Sequence, residues 1–308
     1  MEATKIWTIK ATLDWTCGYL TKHNCENARL SAEWLLSHVL DKPRVWLYTN
    51  FDRPLSRSEL KEFKACIIKR AKGMPLQYIT GTTQFRYINL KVKPEVLIPR
   101  PETEVLVSCA LDLLDAQQPT DEPLLVADIC TGSGCIACSI AHERPNAQVY
   151  ATDISPEAVA LATENVSELK LSEQVNVLQG NLGEPIPKDA MSKFNLVVSN
   201  PPYVPTGVLS TIPNEVANFE PALALGGGTD GNKFVRELLP WAKEALKPGG
   251  AFAFELFERN LEAAKTLACK AGFVDVQAHN DLADKPRVLT GRRTKQPYQN
   301  RAQHSSLH

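Results

Sequence analysis

The chain has 308 residues, of which 44% are hydrophobic and 22% charged, the composition of an ordinary globular protein with room for about two domains. Its net charge is −1, and the absence of an apolar run of 18 residues or a signal-peptide core predicts a soluble, cytoplasmic protein. The eight cysteines show no paired spacing, so we expect free thiols and not a disulfide framework.

The first 75 residues show helical spacing of apolar side chains. Residues 1–75 therefore predict a small helical bundle as an N-terminal domain. Its helices are expected over 4–23, 26–40 and 56–72, the last capped by Ser56 or Ser58. This domain carries 13 Lys and Arg against 8 Asp and Glu, whereas the remainder carries 21 against 27. The mild basic excess suits an acidic partner.

The pattern changes after residue 75. Residues 76–94 alternate apolar and polar side chains, which predicts a β-hairpin linker. Proline and acidic residues then open a helix that runs from about Arg100 to Leu114. Residues 292–308 are polar and uneven in composition, so we expect a disordered tail.

Apolar strands alternate with helical stretches over residues 95–291. This alternation predicts an α/β domain with a seven-stranded, mostly parallel, Rossmann-like sheet and antiparallel strands at its C-terminal edge. The strands are expected near 124–129, 147–152, 175–179, 194–199, 251–256, 272–279 and 286–290, and the helices near 135–143, 156–170, 231–246 and 258–271.

A glycine-rich loop follows the first predicted strand of this sheet. Cys130-Thr131-Gly132-Ser133-Gly134 precedes a helix, where glycines let a ligand approach the backbone and the helix N–H groups face that ligand. Asp153 ends the next strand, and a carboxylate at this place can accept both hydroxyls of a ribose. Loop and acid together predict a site for an adenosine-type ligand.

NAD enzymes use the same geometry, so two further features are needed to distinguish NAD from S-adenosyl-L-methionine. Asp128 lies four residues before Gly132, where a carboxylate suits a cationic amino-acid group better than a pyrophosphate. The fourth strand ends in Asn200-Pro201-Pro202-Tyr203, at the sheet edge where such ligands bind. An NAD enzyme would have no use for that motif. We therefore predict S-adenosyl-L-methionine as the cofactor.

The predicted catalytic site consists of Asn200, Pro201, Pro202 and Tyr203, and Asn200 is also expected to contact the cofactor. An amide nitrogen is a poor nucleophile, so an enzyme that alkylates one has to hold its N–H groups with acceptors. Asn200 offers a side-chain carbonyl, and the two prolines expose carbonyls without competing N–H donors. Tyr203 can cover the flat group. An ordinary strand followed by a Pro-Pro turn is the alternative interpretation.

Two other features have weaker interpretations. Cys130, Cys135 and Cys138 match an iron–sulfur spacing, but they lie in the nucleotide loop and lack a fourth cysteine nearby, so no metal is predicted. Residues 204–230 have little periodicity, and a loop of this length directly after the predicted site favours a lid or a substrate contact.

With these motifs, the chain resembles the HemK/PrmC family of protein-(glutamine-N5) methyltransferases over roughly residues 5–291. The resemblance implies methyl transfer to the glutamine of the Gly-Gly-Gln motif in class I peptide chain release factors, with the N-terminal domain helping to engage that factor. It rests on segments that begin at Gly73, Leu97, Asp128, Asn200, Phe219, Gly228, Leu246 and Pro286.

Three positions depart from the family pattern. Cys130 stands at the first glycine of the loop, so its side chain is expected to point away from the cofactor. Asn181, followed by Leu182, takes the place of an aspartate that faces the adenine amino group; an amide oxygen can still accept that bond, without charge assistance. Leu256 replaces the usual glycine after Glu255.

Several alternatives stay open. A ribosomal-protein glutamine methyltransferase is one, and an adenine-N6 or cytosine-N4 nucleic-acid methyltransferase is another, although the acidic catalytic part disfavours a nucleic-acid target. A non-catalytic S-adenosylmethionine-binding protein is the third. The sequence otherwise predicts a monomer that acts on a protein, without direct nucleic-acid or membrane binding.

Overall fold

A computed structural model describes residues 6–117 and 122–295. The chain divides into two compact units. The first comprises the chain up to Thr83 with Val92–Pro94 and Pro213–Glu220, and the second comprises Gln84–Lys91, Glu95–Ile212 and the chain from Pro221 onward. Among the described residues, no helix combines the length and apolarity needed to cross a membrane. The domain limits 75, 94 and 291 stay a prediction.

The first unit is helical, as the apolar spacing predicts. Its elements include α1 (Ile9–Lys22), α2 (Ala28–Leu40), α3 (Arg44–Thr49), α4 (Arg57–Ala71) and α5 (Leu76–Thr80). Ser56 caps α4, because its side chain accepts the N–H of Glu59 while the Glu59 carboxylate accepts that of Ser56. Leucines, with Phe63 and Ile67, fill the centre between these helices.

The stretch predicted as a hairpin begins with a helix instead. Pro75 precedes α5 and Gly81 ends it in the left-handed conformation, while Tyr78 and Ile79 are buried. The hairpin follows as β1 (Thr82–Phe85) and β2 (Ile88–Lys91). The prediction was wrong about the start because a helix of five residues leaves too short a pattern to read.

The second unit contains a seven-stranded sheet. Its strands are β3 (Leu124–Ile129), β4 (Ala147–Asp153), β5 (Val175–Gln179), β6 (Phe194–Ser199), β7 (Leu246–Glu255), β8 (Phe273–Asn280) and β9 (Pro286–Arg293). Their order is β5-β4-β3-β6-β7-β9-β8. The first five pair in parallel, and β9 runs antiparallel to β7 and β8. The predicted mostly parallel α/β sheet is confirmed.

The helices are α6 (Pro101–Asp115), α7 (Cys135–Glu143), α8 (Pro156–Glu168), α9 (Asn214–Phe219), α10 (Lys233–Ala245) and α11 (Leu261–Lys270). Those of the second unit cover both faces of the sheet. Alternate residues of β6 show the division, because Leu196 and Val198 pack with α6 and α7, whereas Val197 packs with α10 and α11.

The segment 204–230 is more ordered than its sequence predicts. It contains α9 and two short 3-10 turns, Leu209–Thr211 and Ala222–Ala224. The helix α9 belongs to the first unit, where Arg70 Nη1 donates to Glu215 Oε1 at 2.8 Å. Helices of six residues are missed by periodicity, because they complete fewer than two turns.

The predicted tail begins too early. Arg292 and Arg293 belong to β9, where Arg292 pairs with Ala251 and Arg293 pairs with Phe273. The sequence misled because both side chains are long and charged. In the structure the two residues pair through their backbones, and their side chains also donate to backbone carbonyls, Arg292 to Gly249 and Arg293 to Leu246. The rest of the predicted tail, from residue 296 onward, lies outside the described residues.

Candidate functional site

The carboxyl ends of β3, β4, β5 and β6 meet at one edge of the sheet, because these strands are parallel neighbours. A cavity of about 440 Å³ lies at this edge. Its lining includes most of the predicted site: Cys130, Thr131, Gly132, Ser133, Asp153, Asn181, Leu182, Asn200 and Pro202. Gly134, Pro201 and Tyr203 are adjacent in sequence but do not border it.

The loop between β3 and α7 turns sharply. Cys130, Gly132 and Gly134 all have a positive φ, of 62°, 56° and 80°. A side chain at Gly134 would also place its Cβ 3.2 Å from Cβ of Ala162, which is tighter than most contacts. The backbone conformation therefore accounts for the glycines of this loop.

Asp153 fixes the loop from the neighbouring strand. Its Oδ2 accepts the backbone N–H of Gly132 at 2.9 Å, and its Oδ1 accepts that of Ser155 at 3.0 Å. Burial raises the pKa of this carboxyl, although the backbone donors partly offset the effect. Asp153 thus borders the cavity with both oxygens already oriented.

Asp128 lies beneath the loop and not in the cavity wall. It is fully buried, and its Oδ2 accepts the Thr131 hydroxyl at 2.6 Å and the N–H of Ala137 at 3.1 Å. Burial raises its pKa to about 7. The expectation that it meets a cationic ligand group directly therefore has no support in the geometry; Asp128 organises the loop and the start of α7.

The three cysteines are thiols in an apolar environment. Cys130 packs beside the cluster that involves α10 and α11, and Cys135 and Cys138 are buried in α7. Burial raises the pKa of Cys138 to about 12 and raises that of the other two further. Among residues 6–117 and 122–295, no group of three His, Cys, Asp or Glu side chains is placed to hold a metal ion.

Asn181 and Leu182 follow β5. Asn181 Nδ2 donates to Glu184 Oε1 at 3.1 Å, so its amide oxygen is the atom left for a ligand. Leu182 has a φ of 47°, and its carbonyl accepts the Thr152 hydroxyl at 2.7 Å. Both residues border the cavity, as the resemblance implies.

The side chains of Asn200 and Tyr203 each bond to another buried residue. Asn200 Nδ2 donates to Thr103 Oγ1 at 3.2 Å, and the Tyr203 hydroxyl donates to Glu255 Oε1 at 3.1 Å. The Thr103 hydroxyl also hydrogen-bonds to Glu255. Burial raises the pKa values of both Tyr203 and Glu255. One connected set of hydrogen bonds therefore links Asn200 to Tyr203.

Two glycines pack against the backbone of Tyr203. A Cβ at Gly227 would lie 2.6 Å from Tyr203 Cα, and a Cβ at Gly231 would lie 2.5 Å from the Tyr203 carbonyl oxygen. Val204 also exchanges backbone hydrogen bonds with this turn, donating to Leu225 and accepting from Gly227, each at 2.8 Å. The glycine-rich segment thus fixes the path of the Asn-Pro-Pro-Tyr motif as it leaves β6.

The sequence interpretation did not assign Thr103 or Glu255 to the site, nor the cavity residues Val96, Arg100, Lys233 and Phe234. Signals were available for three of them. Arg100 and Thr103 lie in the segment that begins at Leu97, on which the resemblance partly rests, and Glu255 immediately precedes the departure at Leu256. Val96, Lys233 and Phe234 carry no local motif that marks a site.

Comparison with known proteins agrees with this geometry. Residues 11–81 match the model of the PrmC N-terminal domain, and residues 108–218 match that of the methyltransferase small domain. A release factor glutamine methyltransferase of Geobacter sulfurreducens is 43% identical over 94% of this chain and 99% of its own length. One of Moorella thermoacetica is 39% identical over 94% and 100%.

The chain belongs to the release factor glutamine methyltransferase family. These relatives confirm the resemblance, and their match extends over both units of this chain. A solved structure, the hMettl16 catalytic domain in complex with MAT2A 3′UTR hairpin 6, is also similar, with a TM-score of 0.53 and 15% identity over 80% of this chain and 86% of that one. This likeness shows the methyltransferase fold alone.

Proposed function

We propose that the chain transfers a methyl group from S-adenosyl-L-methionine to the side-chain amide nitrogen, N5, of the Gly-Gly-Gln glutamine in class I peptide chain release factors. Besides family membership, one observation carries this proposal: Asp153 and Asn200 border the same cavity at the carboxyl edge of the sheet. A ribose acceptor and an amide acceptor thus share one site.

The cavity residues fit the cofactor. The Asp153 oxygens, already held by two backbone donors, are placed for ribose hydroxyls, and the loop with positive φ at Cys130, Gly132 and Gly134 borders the same cavity. The amide oxygen of Asn181 and the side chain of Leu182 would meet the adenine. When bound, S-adenosylmethionine supplies an electrophilic methyl group on a sulfonium.

Asn200 and Pro201 position the substrate amide. In this mechanism, the Asn200 Oδ1 atom and the Pro201 carbonyl accept the two N–H groups of the glutamine side chain, while Pro202 and Tyr203 limit its approach. The acceptors favour a pyramidal nitrogen, whose bond to the methyl carbon would form as the methyl–sulfur bond breaks and the sulfur departs as a neutral thioether. One proton of that nitrogen then leaves to water, so no acid–base pair is needed before attack.

The protein substrate is expected to contact the first unit as well. The Lys and Arg excess in residues 1–75 suits an acidic surface on the release factor. We propose that the enzyme acts as a cytoplasmic monomer, without direct binding to nucleic acid or to a membrane.

Mass spectrometry of a release factor incubated with the enzyme and S-adenosylmethionine tests the proposal. The expected result is a gain of about 14 Da, one methylene, on the Gly-Gly-Gln peptide. Asn200→Ala should raise the barrier by about 3 kcal/mol, a rate loss on the order of a hundredfold, because one acceptor is removed.

Asn176→Ala is the matched control, since Asn176 is exposed on β5, away from the cavity. Its turnover should equal that of the wild type. An unmodified Gly-Gly-Gln peptide, or near-normal turnover by an Asn200→Ala enzyme that binds cofactor, would refute the proposal.

A further inference from the structure

The hydrogen bonds behind Asn200 have a fixed direction. Glu255 is 1% exposed and ends β7, and the hydroxyls of Thr103 and Tyr203 both bond to it. A carboxylate accepts hydrogen bonds and donates none. The Tyr203 hydroxyl donates to Glu255 Oε1 at 3.1 Å, and the hydrogen bonds of Tyr203 and Thr103 both lower the pKa of Glu255 against the effect of burial, as donors to an ionised carboxylate do. Each of these hydroxyls therefore gives its single hydrogen to Glu255.

This direction decides which way the Asn200 amide faces. Because the Thr103 hydrogen is committed to Glu255, Oγ1 can only accept from Asn200. The Asn200 atom at 3.2 Å from Oγ1 must then be the donor Nδ2 and not Oδ1. Since the two amide atoms lie on opposite branches of a planar group, Oδ1 is left as the free acceptor of a residue that borders the cavity.

We infer that Thr103 and Glu255 are positioning residues that orient the Asn200 amide with its oxygen toward the substrate nitrogen. The inference rests on the proposed function. Without the network, the amide can rotate by half a turn and present N–H donors to the N–H groups of the substrate. Glu255 fixes the direction of the Thr103 hydrogen bond, Thr103 fixes that of the Asn200 amide, and of these three residues Asn200 is the one that contacts the substrate.

Thr103 is well placed for this role. It lies in the first turn of α6 and is 2% exposed, so packing restricts its rotamer as well as its hydrogen bonds. Tyr203 bonds to the same carboxylate, which ties both ends of the catalytic motif to one group. A single buried acid thereby aligns two residues that the strand end brings to the site.

The test compares Thr103→Val with Thr103→Ser. Valine keeps the shape but removes the hydroxyl, so we expect kcat for release-factor methylation to fall on the order of tenfold to a hundredfold. Thr103 borders the cavity, but valine keeps its shape there and the hydroxyl is committed to Asn200 and Glu255, so the Kd for S-adenosylmethionine should stay within about twofold. Serine restores the hydroxyl and should recover most of kcat.

Thr12→Val is the control for the chemical change. Thr12 is also buried, in α1, and its Oγ1 has no hydrogen-bond partner, so its replacement should leave kcat unchanged. Glu255→Gln gives a second variant should Thr103→Val fold poorly. A glutamine amide can donate to Thr103 and free its hydrogen, so kcat should fall here too. The double variant Thr103→Val/Glu255→Gln should lose no more than the worse single variant, because the residues act as one unit.

Wild-type turnover separates the two proposals. If wild-type enzyme methylates the release factor and Thr103→Val equals it, the positioning role is wrong while the proposed function stands. Equal losses in the valine and serine variants, or additive losses in the double variant, would also overturn the inference. If the wild type leaves the Gly-Gly-Gln peptide unmodified, the proposed function itself fails.

Discussion

Gly227 offers a direct test of how closely the turn after the catalytic motif has to pack. A Cβ at this position would lie 2.6 Å from Tyr203 Cα, 0.8 Å less than the 3.4 Å at which ordinary contacts begin. The φ of Gly227 lies outside the left-handed region, so alanine is allowed by its own backbone. Gly227→Ala must therefore displace the Tyr203 backbone or the turn by several tenths of an ångström.

A displacement of this size should lower kcat. Misplacement of a reacting group by about 1 Å can cost on the order of a hundredfold in rate, so we expect Gly227→Ala to lose tenfold to a hundredfold. The Kd for S-adenosylmethionine, measured by calorimetry, should change little, because Gly227 is not in the cavity wall.

Gly226→Ala provides the matched control one residue away. The nearest atom to a Cβ there is the Ala222 carbonyl oxygen at 3.8 Å, an ordinary contact, and the φ of Gly226 also lies outside the left-handed region. Steady-state methylation of a release factor by both variants would show the difference. If Gly227→Ala turns over as fast as Gly226→Ala, close packing on Tyr203 does not set the position of the catalytic motif.

Three further predictions concern binding and stability. Asp153→Asn should weaken S-adenosylmethionine binding on the order of tenfold, because an amide cannot accept both backbone N–H groups. Calorimetry would measure this loss, with Glu173→Gln, a change on an exposed turn, as the control. Equal affinities of the two variants would contradict the prediction. Burial raises the pKa of Asp128 from 3.8 to about 7, so the folded chain binds more protons between these values. The free energy of unfolding should therefore fall as pH rises from about 4 to about 7, by at most about 1.4 kcal/mol per unit from this group, and urea unfolding of Asp128→Asn should lack that slope. Glu215→Ala should speed hydrogen exchange of α9, at a cost of about 1 kcal/mol, because its half-exposed carboxylate pairs with buried Arg70; unchanged exchange would show that this ion pair does not hold the helix.

The local pattern of apolar and turn residues was sufficient to predict several strands and helices of the second unit. The strands 124–129, 175–179 and 194–199 and the helix 135–143 have the predicted limits. Turn residues flank each of these elements, so their ends are marked on both sides. Because consecutive strands are parallel, their carboxyl ends then share one edge, and this is why most of the predicted residues border one cavity.

Contacts between residues that are far apart in the sequence could not be predicted from local patterns. Asn200 and Thr103 are 97 positions apart, and Tyr203 and Glu255 are 52 apart. A buried glutamate at the end of an apolar strand has no local signature that names its partners. The helices α3, α5 and α9 were missed for a different reason, since none of them is long enough to show a period.

Two positions of the glycine-rich loop, Cys130 and Gly134, differ in how much side-chain change they tolerate. Cys130 occupies a left-handed position at a strain of about 1–2 kcal/mol, but its thiol packs against apolar side chains, which offsets part of that cost. Gly134 is also in the left-handed conformation. A Cβ at this position would lie only 3.2 Å from Cβ of Ala162, so a side chain there would add a steric conflict to the backbone strain. A family motif can thus vary where the backbone alone is constrained. It cannot vary where a second segment fills the space.

The same distinction applies to the catalytic motif. The end of β6 brings Asn200 to the cavity edge, and any parallel sheet with this strand order would do so. Orientation is a separate requirement, which in the inferred network is set by Thr103 at the start of α6 and by Glu255 at the end of β7. An asparagine delivered to the edge without these two would present either amide atom to the substrate. The specificity of the motif for accepting an amide N–H group therefore resides in residues that never touch it.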